Sequence, residues 1–521
     1  MKPRANPTHS ANRHRRSSSL QRASATLAAA FALAGCAVGP DFEPPTLPPA
    51  ADGPSYGASR LPDETAAAQG VSSGGGDAQQ FAKGMDVPAL WWHVFRSEPL
   101  DRLIRGAIEH SPTLASAQAT LRQAQENFNA QSGSLLYPGV TAQVGAQRQR
   151  ASVAAGAPLV DYNLFNASVN VSYALDVFGG NRRTLEGLAA AIDYQQFQVQ
   201  AVYLTLTSNL VTTAILEASL RAQLEATREV LALQTRQVDV VQAQFKAGAI
   251  ARSSVLSQQT QAAQTRATIP ALEKALAQAR HQLSVYAGRL PSESGMPEFD
   301  LGSLHLPREL PVSLPSSLVR QRPDIRASEA LLHQASAQIG VATANLYPQI
   351  NLTAGLGTGA SKIGDLFGGG TTLWSLAAGL AQPIFNGGAL NAKKRAAVAA
   401  YDQALAQHRG AVLNAFQNVA DVLRAIEADA QALSTQAEAA GLARESLDLA
   451  TRQYRLGAIS FLVLLDAQRT YQQTRISLVQ AQAARYADTA ALFQALGGGW
   501  WNRALLEPAT LTDGTPAPAK D

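Results

Sequence analysis

Few side chains in this sequence can attack, coordinate or exchange protons. Cys36 is the only thiol among 521 residues. A lone cysteine makes no intrachain disulfide. Gly39-Pro40-Asp41 through Pro44-Pro45, directly after it, cannot build a core element to bury it. What remains is a nucleophilic sulfur, and its flanks say where it goes. Lys2, Arg4, Arg13, Arg15, Arg16 and Arg22 come with no acid, followed by the apolar run Ala25 to Gly35. A basic region, a short apolar region and a small-residue exit form a secretory signal, and the run is too short to span a bilayer. Other chemistry is absent. His93, His110, His281, His305, His333 and His408 show no metal-ligand spacing. Only Met85 and Met296 lie beyond the signal. "GLGTGASK" (355–362) lacks the Gly-Lys-Ser/Thr ending of a phosphate loop and reads as a Gly-rich hairpin loop. No catalytic or metal site is assigned, so an enzyme is not expected.

Leu33-Ala34-Gly35-Cys36 resembles the lipobox of bacterial lipoproteins. The resemblance implies cleavage before Cys36, with S-diacylglycerol and an N-acyl chain on that residue and no other cofactor. Ala37 in place of an aspartate favours export to the outer membrane. Removing residues 1–35 also removes six cations and turns a net +4 into 37 basic against 39 acidic residues. The positive balance therefore belongs to the targeting segment and gives no sign of nucleic acid. Charged residues make up only 16%, which fits long helices packed through small side chains better than a Val/Ile-rich α/β core.

The elements are written twice. "HSPTLASAQATLRQA" (110–124) matches "QRPDIRASEALLHQA" (321–335), and "LLYPGVTAQVG" (135–145) matches "NLYPQINLTAG" (345–355). "QFKAGAI" (244–250) matches "QYRLGAI" (453–459). The spacing defines a duplicated unit of about 210 residues, the first thing to establish in a long chain. Each unit begins with a helical stretch that ends before Tyr137-Pro138 or Tyr347-Pro348, because proline pushes its predecessor out of the α region. Period-two alternation follows at 140–147, 166–177, 350–356 and 374–380, with one face apolar and the other polar. Such strands separate an apolar from a wet environment. Gly pairs after Phe178 and Phe385 then open very long helices. Residues 181 to 245 would reach about 95 Å, with a coiled-coil-like seam. The turns at 246–250 and 455–459 send a helix back from each.

Two hairpins give four strands, and four cannot close a barrel. Open sheet edges in lipid leave backbone groups unpaired, so several chains must pool their strands or the strands lie on a soluble surface. The repeat alone does not choose three chains over two. The sequence resembles the TolC/OprM outer membrane factor family, in the lipoprotein branch of resistance–nodulation–division efflux systems. The lipobox with "VGPDFEPP", "WWHVFRSEPLDRLI", the two "YP" strand starts, "PIFNGG", "YRLGAISFLVLLDAQRTY" and "QALGGGW" carry the resemblance across the mature chain.

The resemblance implies a mainly α protein with membrane β. A homotrimer would form a 12-stranded barrel in the outer membrane, continued by a 12-helix periplasmic tube. The chain divides into a signal peptide (1–35), a lipid-anchored Pro/Gly/Ser-rich segment (36–88), a first repeat (89–290), a linker at an equatorial belt (291–314), a second repeat (315–500) and a tail (501–521). The function implied is a passive exit duct for small molecules, partnered by a periplasmic adaptor and an inner-membrane pump. A type I protein-secretion channel is the nearest alternative, and a coiled-coil adaptor is further off. Val169, Val171, Tyr173, Leu352 and Trp374 should face lipid, with Asn170, Ser172 and Asn351 facing the lumen. Lys246, Gly248, Arg455 and Gly457 should form adaptor-docking tips. Leu462 and Asp466 match family positions that form leucine and aspartate rings at a periplasmic gate. Some members carry a second acid where this chain has Val463, and close relatives have an aspartate at Ser254, which leaves Leu462 more of the seal.

Overall fold

Proline and glycine punctuate the chain, and the elements fall between them. The structure, a computed structural model, describes residues 37–46, 56, 61–71, 75–152, 158–313 and 315–505. Cys36 and the signal lie outside these. The first unit holds helix α1 (Glu98–His110), α2 (Pro112–Leu136), strands β2 (Gly139–Ser152) and β3 (Leu159–Leu175), α3 (Gly180–Lys246) and α4 (Arg252–Tyr286). The second holds α5 (Pro315–Gln321), α6 (Pro323–Ala344), β5 (Gln349–Ala360), β6 (Thr372–Ala381), α7 (Ala389–Arg455) and α8 (Phe461–Ala495). Short strands β1 (Gln80–Lys83) and β4 (Glu309–Val312) stand outside the repeat pattern. The duplication survives in lengths as well as order: α3 and α7 have 67 residues each, α4 and α8 35 each.

The chain forms two bodies, each interleaved in sequence. The first contains a single antiparallel sheet in the order β2-β3-β5-β6, joined to the adjoining segments of α2, α3, α6 and α7. Three expectations change here. Gly355, Gly357 and Gly359 lie inside β5 and not in a hairpin loop, which starts only after Ala360. The low strand propensity of glycine is overridden because β5 is paired on both sides and backbone comes close: a Cβ on Gly357 would stand 2.6 Å from the Ala167 carbonyl oxygen. β3 stops at Leu175, two residues short of Val177. Asp176 instead caps α3, its carboxylate accepting from the backbone N–H groups of Asn181 and Arg182, both at 2.9 Å.

The second body carries the main apolar core. Trp91, Trp92 and Phe95 are buried with Leu100, Leu210, Leu423, Tyr486 and Phe493, and the Trp91 and Phe493 rings stack at 5.6 Å. α1 enters it through Leu100, Leu103, Ile104 and Ala107, after Ser97 caps its first turn. β1, from the 36–88 segment, and β4, from the 291–314 linker, pair as a parallel ribbon. Buried polar groups tie both down. Arg485 donates to the Gly75 and Asp77 carbonyls and to Thr65 Oγ1. Glu217, fully buried, accepts from the Phe299 N–H at 3.0 Å and from Arg221. Burial without such partners would cost several kcal/mol, of order 3 for a broken buried pair.

One pair in this body is under electrostatic tension. Asp488 on α8 is hydrogen-bonded to Asp429 on α7; burial, then that bond and the charge of Asp429, push its carboxyl up to about 7. The folded protein therefore keeps a proton that an unfolded aspartate releases near pH 4. Stability is lost as pH rises from about 4 to 7 and is level above that. Thermal unfolding of the parent and Asp488→Asn at a series of pH values checks this. The midpoint of the parent should fall relative to the variant between pH 5 and 7; a gap that is constant with pH would refute it.

Candidate functional sites: the sheet, the strap and the helical tips

The ladders decide which strand residues share a face. Val140 lies opposite Val171, Val171 opposite Ala354, and Ala354 opposite Leu376. The adjacent row on this face runs Ala142, Val169, Leu356, Trp374, and another joins Tyr173, Leu352 and Ala378. The five residues expected to face lipid thus lie together on one side. On the other side Asn170 stands between Thr141 and Gly355, Ser172 between Gly139 and Thr353, and Asn351 between Ala174 and Gly379. The apolar side is bare, with Trp374 78% exposed and Leu376 76%. An uncovered apolar face of this size marks a surface that contacts lipid or protein. The ladders run 14, 11 and 10 pairs, enough for strands that cross a bilayer. β2 and β6 are the edges of the sheet. At its helix-bearing end Phe178 and Tyr347 stack at 4.8 Å, and Tyr137 and Phe385 are exposed, the aromatic girdle a membrane boundary favours.

Residues 37–42 form a strap against the foot of this sheet. The Val38 N–H donates to the Phe178 carbonyl at 3.1 Å. Phe42 stacks on His333 at 4.3 Å. Buried Arg183 donates to Asp41 and Glu186, both at 2.7 Å, and more weakly to the carbonyls of Val38 and Gly39. Burial opposes its charge, but the bonds to Glu186 and Asp41 outweigh this and raise its pKa. His333 Nε2 lies 3.0 Å from Glu186. Gly179, at φ +80°, is required here, since its Cβ would lie 2.6 Å from Ala37 Cα. Sequence reasoning missed this cluster, whose members are scattered over both repeats; the one local signal was the Gly pair followed by Arg182-Arg183. Ala37, the neighbour of Cys36, is thereby fixed beside the strand–helix junction.

The tips occupy the far ends of the α3–α4 and α7–α8 hairpins. Gly248 and Gly457 have φ of +75° and +74°. Ala249 N–H reaches the Gln244 carbonyl and Gly248 N–H that of Phe245; Ala458 and Gly457 repeat the pair with Gln453 and Tyr454. This double bond pattern is the Schellman ending, with left-handed glycine at no steric cost. Lys246 and Arg455 are exposed on the turns. Between the hairpins Val241, Phe461 and Leu465 are buried against Ile250 and Tyr454. Equivalent positions of the two repeats meet there: Tyr454 donates to Gln244 at 3.0 Å, Arg469 to Gln261 at 2.6 Å and Gln258 to Gln468 at 3.4 Å. Leu462 and Asp466 point the other way, exposed and four apart on α8, with Leu462 68% accessible. No group of three or more His, Cys, Asp or Glu able to hold a metal exists among the described residues.

A duplicated strand-hairpin and helix-hairpin unit, apolar on one sheet face and drawn out into long helical hairpins, defines an outer-membrane export duct. The chain belongs to the outer membrane efflux protein family, which matches it twice, over 103–289 and 314–498. It is an outer membrane efflux channel protein. Among its relatives, the pyoverdine export outer membrane protein OpmQ of Pseudomonas aeruginosa is 31% identical over 417 residues, covering 79% of this chain and 87% of that protein. The probable efflux pump outer membrane protein TtgC of Pseudomonas putida is 28% identical, covering 91% and 95%. The solved outer-membrane channel OprN superposes with a TM-score of 0.79 at 26% identity, over 89% of this chain and all of that one.

The face assignment carries a test. Arg in place of Val171 should cost assembly about 2–4 kcal/mol if the site lies near the bilayer midplane, while Asn170→Arg should be tolerated. The yield of folded, heat-modifiable protein in isolated outer membranes measures both. Equal tolerance would contradict the assignment.

Proposed function

We propose that three copies of this chain close a twelve-stranded barrel continued by twelve helices, forming the passive exit duct of a tripartite small-molecule efflux pump. The open sheet carries this reading: both edge strands need partners in lipid, and copies joined β6 to β2 supply them without a loose end. Nothing in the duct calls for catalysis of its own. The periplasmic adaptor docks at the exposed tips around Lys246, Gly248, Arg455 and Gly457, and the inner-membrane resistance–nodulation–division pump supplies energy and selectivity. Relatives named for pyoverdine export, toluene efflux and antibiotic efflux each match 79% or more of this chain, which agrees with a cargo chosen elsewhere.

Leu462 and Asp466 supply the resting seal. Three copies converging on an axis place an apolar ring one helical turn from an acidic one, narrowing the path and favouring cations. Leu462→Ala with Asp466→Ala should raise resting conductance of purified trimers in planar bilayers, and Gly457→Val should leave conductance unchanged while abolishing drug resistance in cells. Parent-like conductance of the double variant would remove the gate assignment; undiminished resistance of Gly457→Val would remove docking at that tip.

The lipidation of Cys36 belongs to the same proposal. It is supported by the lipobox, by the strap that holds Ala37 at the foot of the sheet, and by a relative named probable outer membrane lipoprotein SilC in Salmonella typhimurium. Intact mass of the mature chain should correspond to residues 36–521 plus a diacylglycerol and one acyl chain. A mass equal to an unmodified polypeptide would exclude it.

A further inference from the structure

The apolar face of the sheet changes character towards the hairpin ends. Along β2 it is occupied in turn by Val140, Ala142, Val144 and Ala146, about 20 Å of strand. The next two positions of the same parity are Arg148 and Arg150, both exposed. Their partners on β3 are Asn163 and Asp161, following Val171, Val169, Ala167 and Phe165 on the same face. Lys362, also exposed, lies two residues past Ala360, the last β5 residue in that ladder. The opposite face of the four strands carries no charged residue among those described. Every charge on the strands therefore sits on the outward face, at the end away from the helices.

An arginine at the bilayer midplane is costly, but near the interface the cost falls to about 0–1 kcal/mol. Ion pairing accounts for only part of this positive charge. Arg150 is paired with Asp161 at 3.7 Å, while Arg148 stands opposite neutral Asn163. Asp161 and Asp365 are the acids at this end against Arg148, Arg150 and Lys362, leaving an excess of positive charge. Two arginines two residues apart on one strand face present parallel forks about 7 Å apart, and guanidinium forks match phosphate oxygens bidentately. The helices mark the periplasmic side, so this row meets the outer leaflet.

We propose that Arg148 and Arg150, assisted by Lys362, form a binding site for the phosphorylated headgroup of an outer-leaflet glycolipid, with the acyl chains lying along Ala146, Val144 and Phe165. The site rests on the barrel reading above. It gives the protein a second lipid contact, on the opposite side of the membrane from the acylated terminus.

Native mass spectrometry of purified full-length trimers titrated with bis-phosphorylated lipid A tests it. The parent should retain the glycolipid, and Arg148→Gln/Arg150→Gln should bind it roughly thirtyfold more weakly, the scale of two cations at an anionic lipid surface. Arg148→Lys/Arg150→Lys, which keeps the charge, should bind between the two. If the double Gln variant does not assemble, Arg148→Gln alone is read in its place. Equal retention by parent and Gln variant overturns the site. So does equal retention of a dephosphorylated lipid A, or displacement of the glycolipid by excess inorganic phosphate, which would indicate a free-anion site. If Val171→Arg assembles as well as Asn170→Arg, the barrel reading fails and takes this site with it. If Val171→Arg is excluded and the Gln variant still binds like the parent, only this site fails.

Discussion

A strand in hydrocarbon has no water to receive its N–H and C=O groups, so each edge must find another strand. In this chain β3 and β5 are paired on both sides and β2 and β6 on one. That asymmetry governs much else. The chain cannot be a finished membrane protein by itself, and the apolar face of its sheet is left exposed. Closure by copies satisfies the edges and surrounds a lumen with the polar face. The same requirement explains why β5 tolerates three glycines: ladders on both flanks hold it extended whatever its propensity.

The helices answer a second constraint. A 67-residue helix of low amphipathicity gains little from propensity alone and depends on lateral packing. Here the packing is between the repeats themselves. At the tips, contacts pair residues about 210 apart, as in Tyr454 with Gln244 and Gln258 with Gln468. A duplicated unit meets its own copy, so equivalent surfaces of the two repeats face one another within the chain. Amides and hydroxyls dominate these contacts, and such bonds are worth only about 1 kcal/mol net each.

Much of this was legible because it is periodic. Alternation placed Val169, Val171, Tyr173, Leu352 and Trp374 on one face, and the ladders put them there. The KAGAI and RLGAI breaks marked where each long helix turns back, and each turn closes on a left-handed glycine. What stayed hidden depends on contacts far apart in sequence. The Gly pair before Arg182-Arg183 does not tell which arginine gathers Asp41 and Glu186, and nothing local marks Arg485 as the one that receives the loop at 75–77. The β1–β4 ribbon joins four-residue strands 229 positions apart, too short for any period to show. Asp176 looked like one more polar residue in an alternating strand, because capping depends on where the strand stops.

The distribution of charge bears on how such a duct can serve different cargoes. The polar face of the strands presents Thr141, Gln143, Asn166, Asn170, Ser172, Thr353 and Ser375, groups that hydrogen-bond in either direction and repel neither sign. A lumen lined this way focuses no field along its length, in contrast to channels that select by rings of fixed charge. On the strands themselves the charged residues among those described are Arg148, Arg150 and Asp161, all on the opposite face and at the end away from the helices. A strand face without fixed charge exerts little selection by the sign of a cargo's charge.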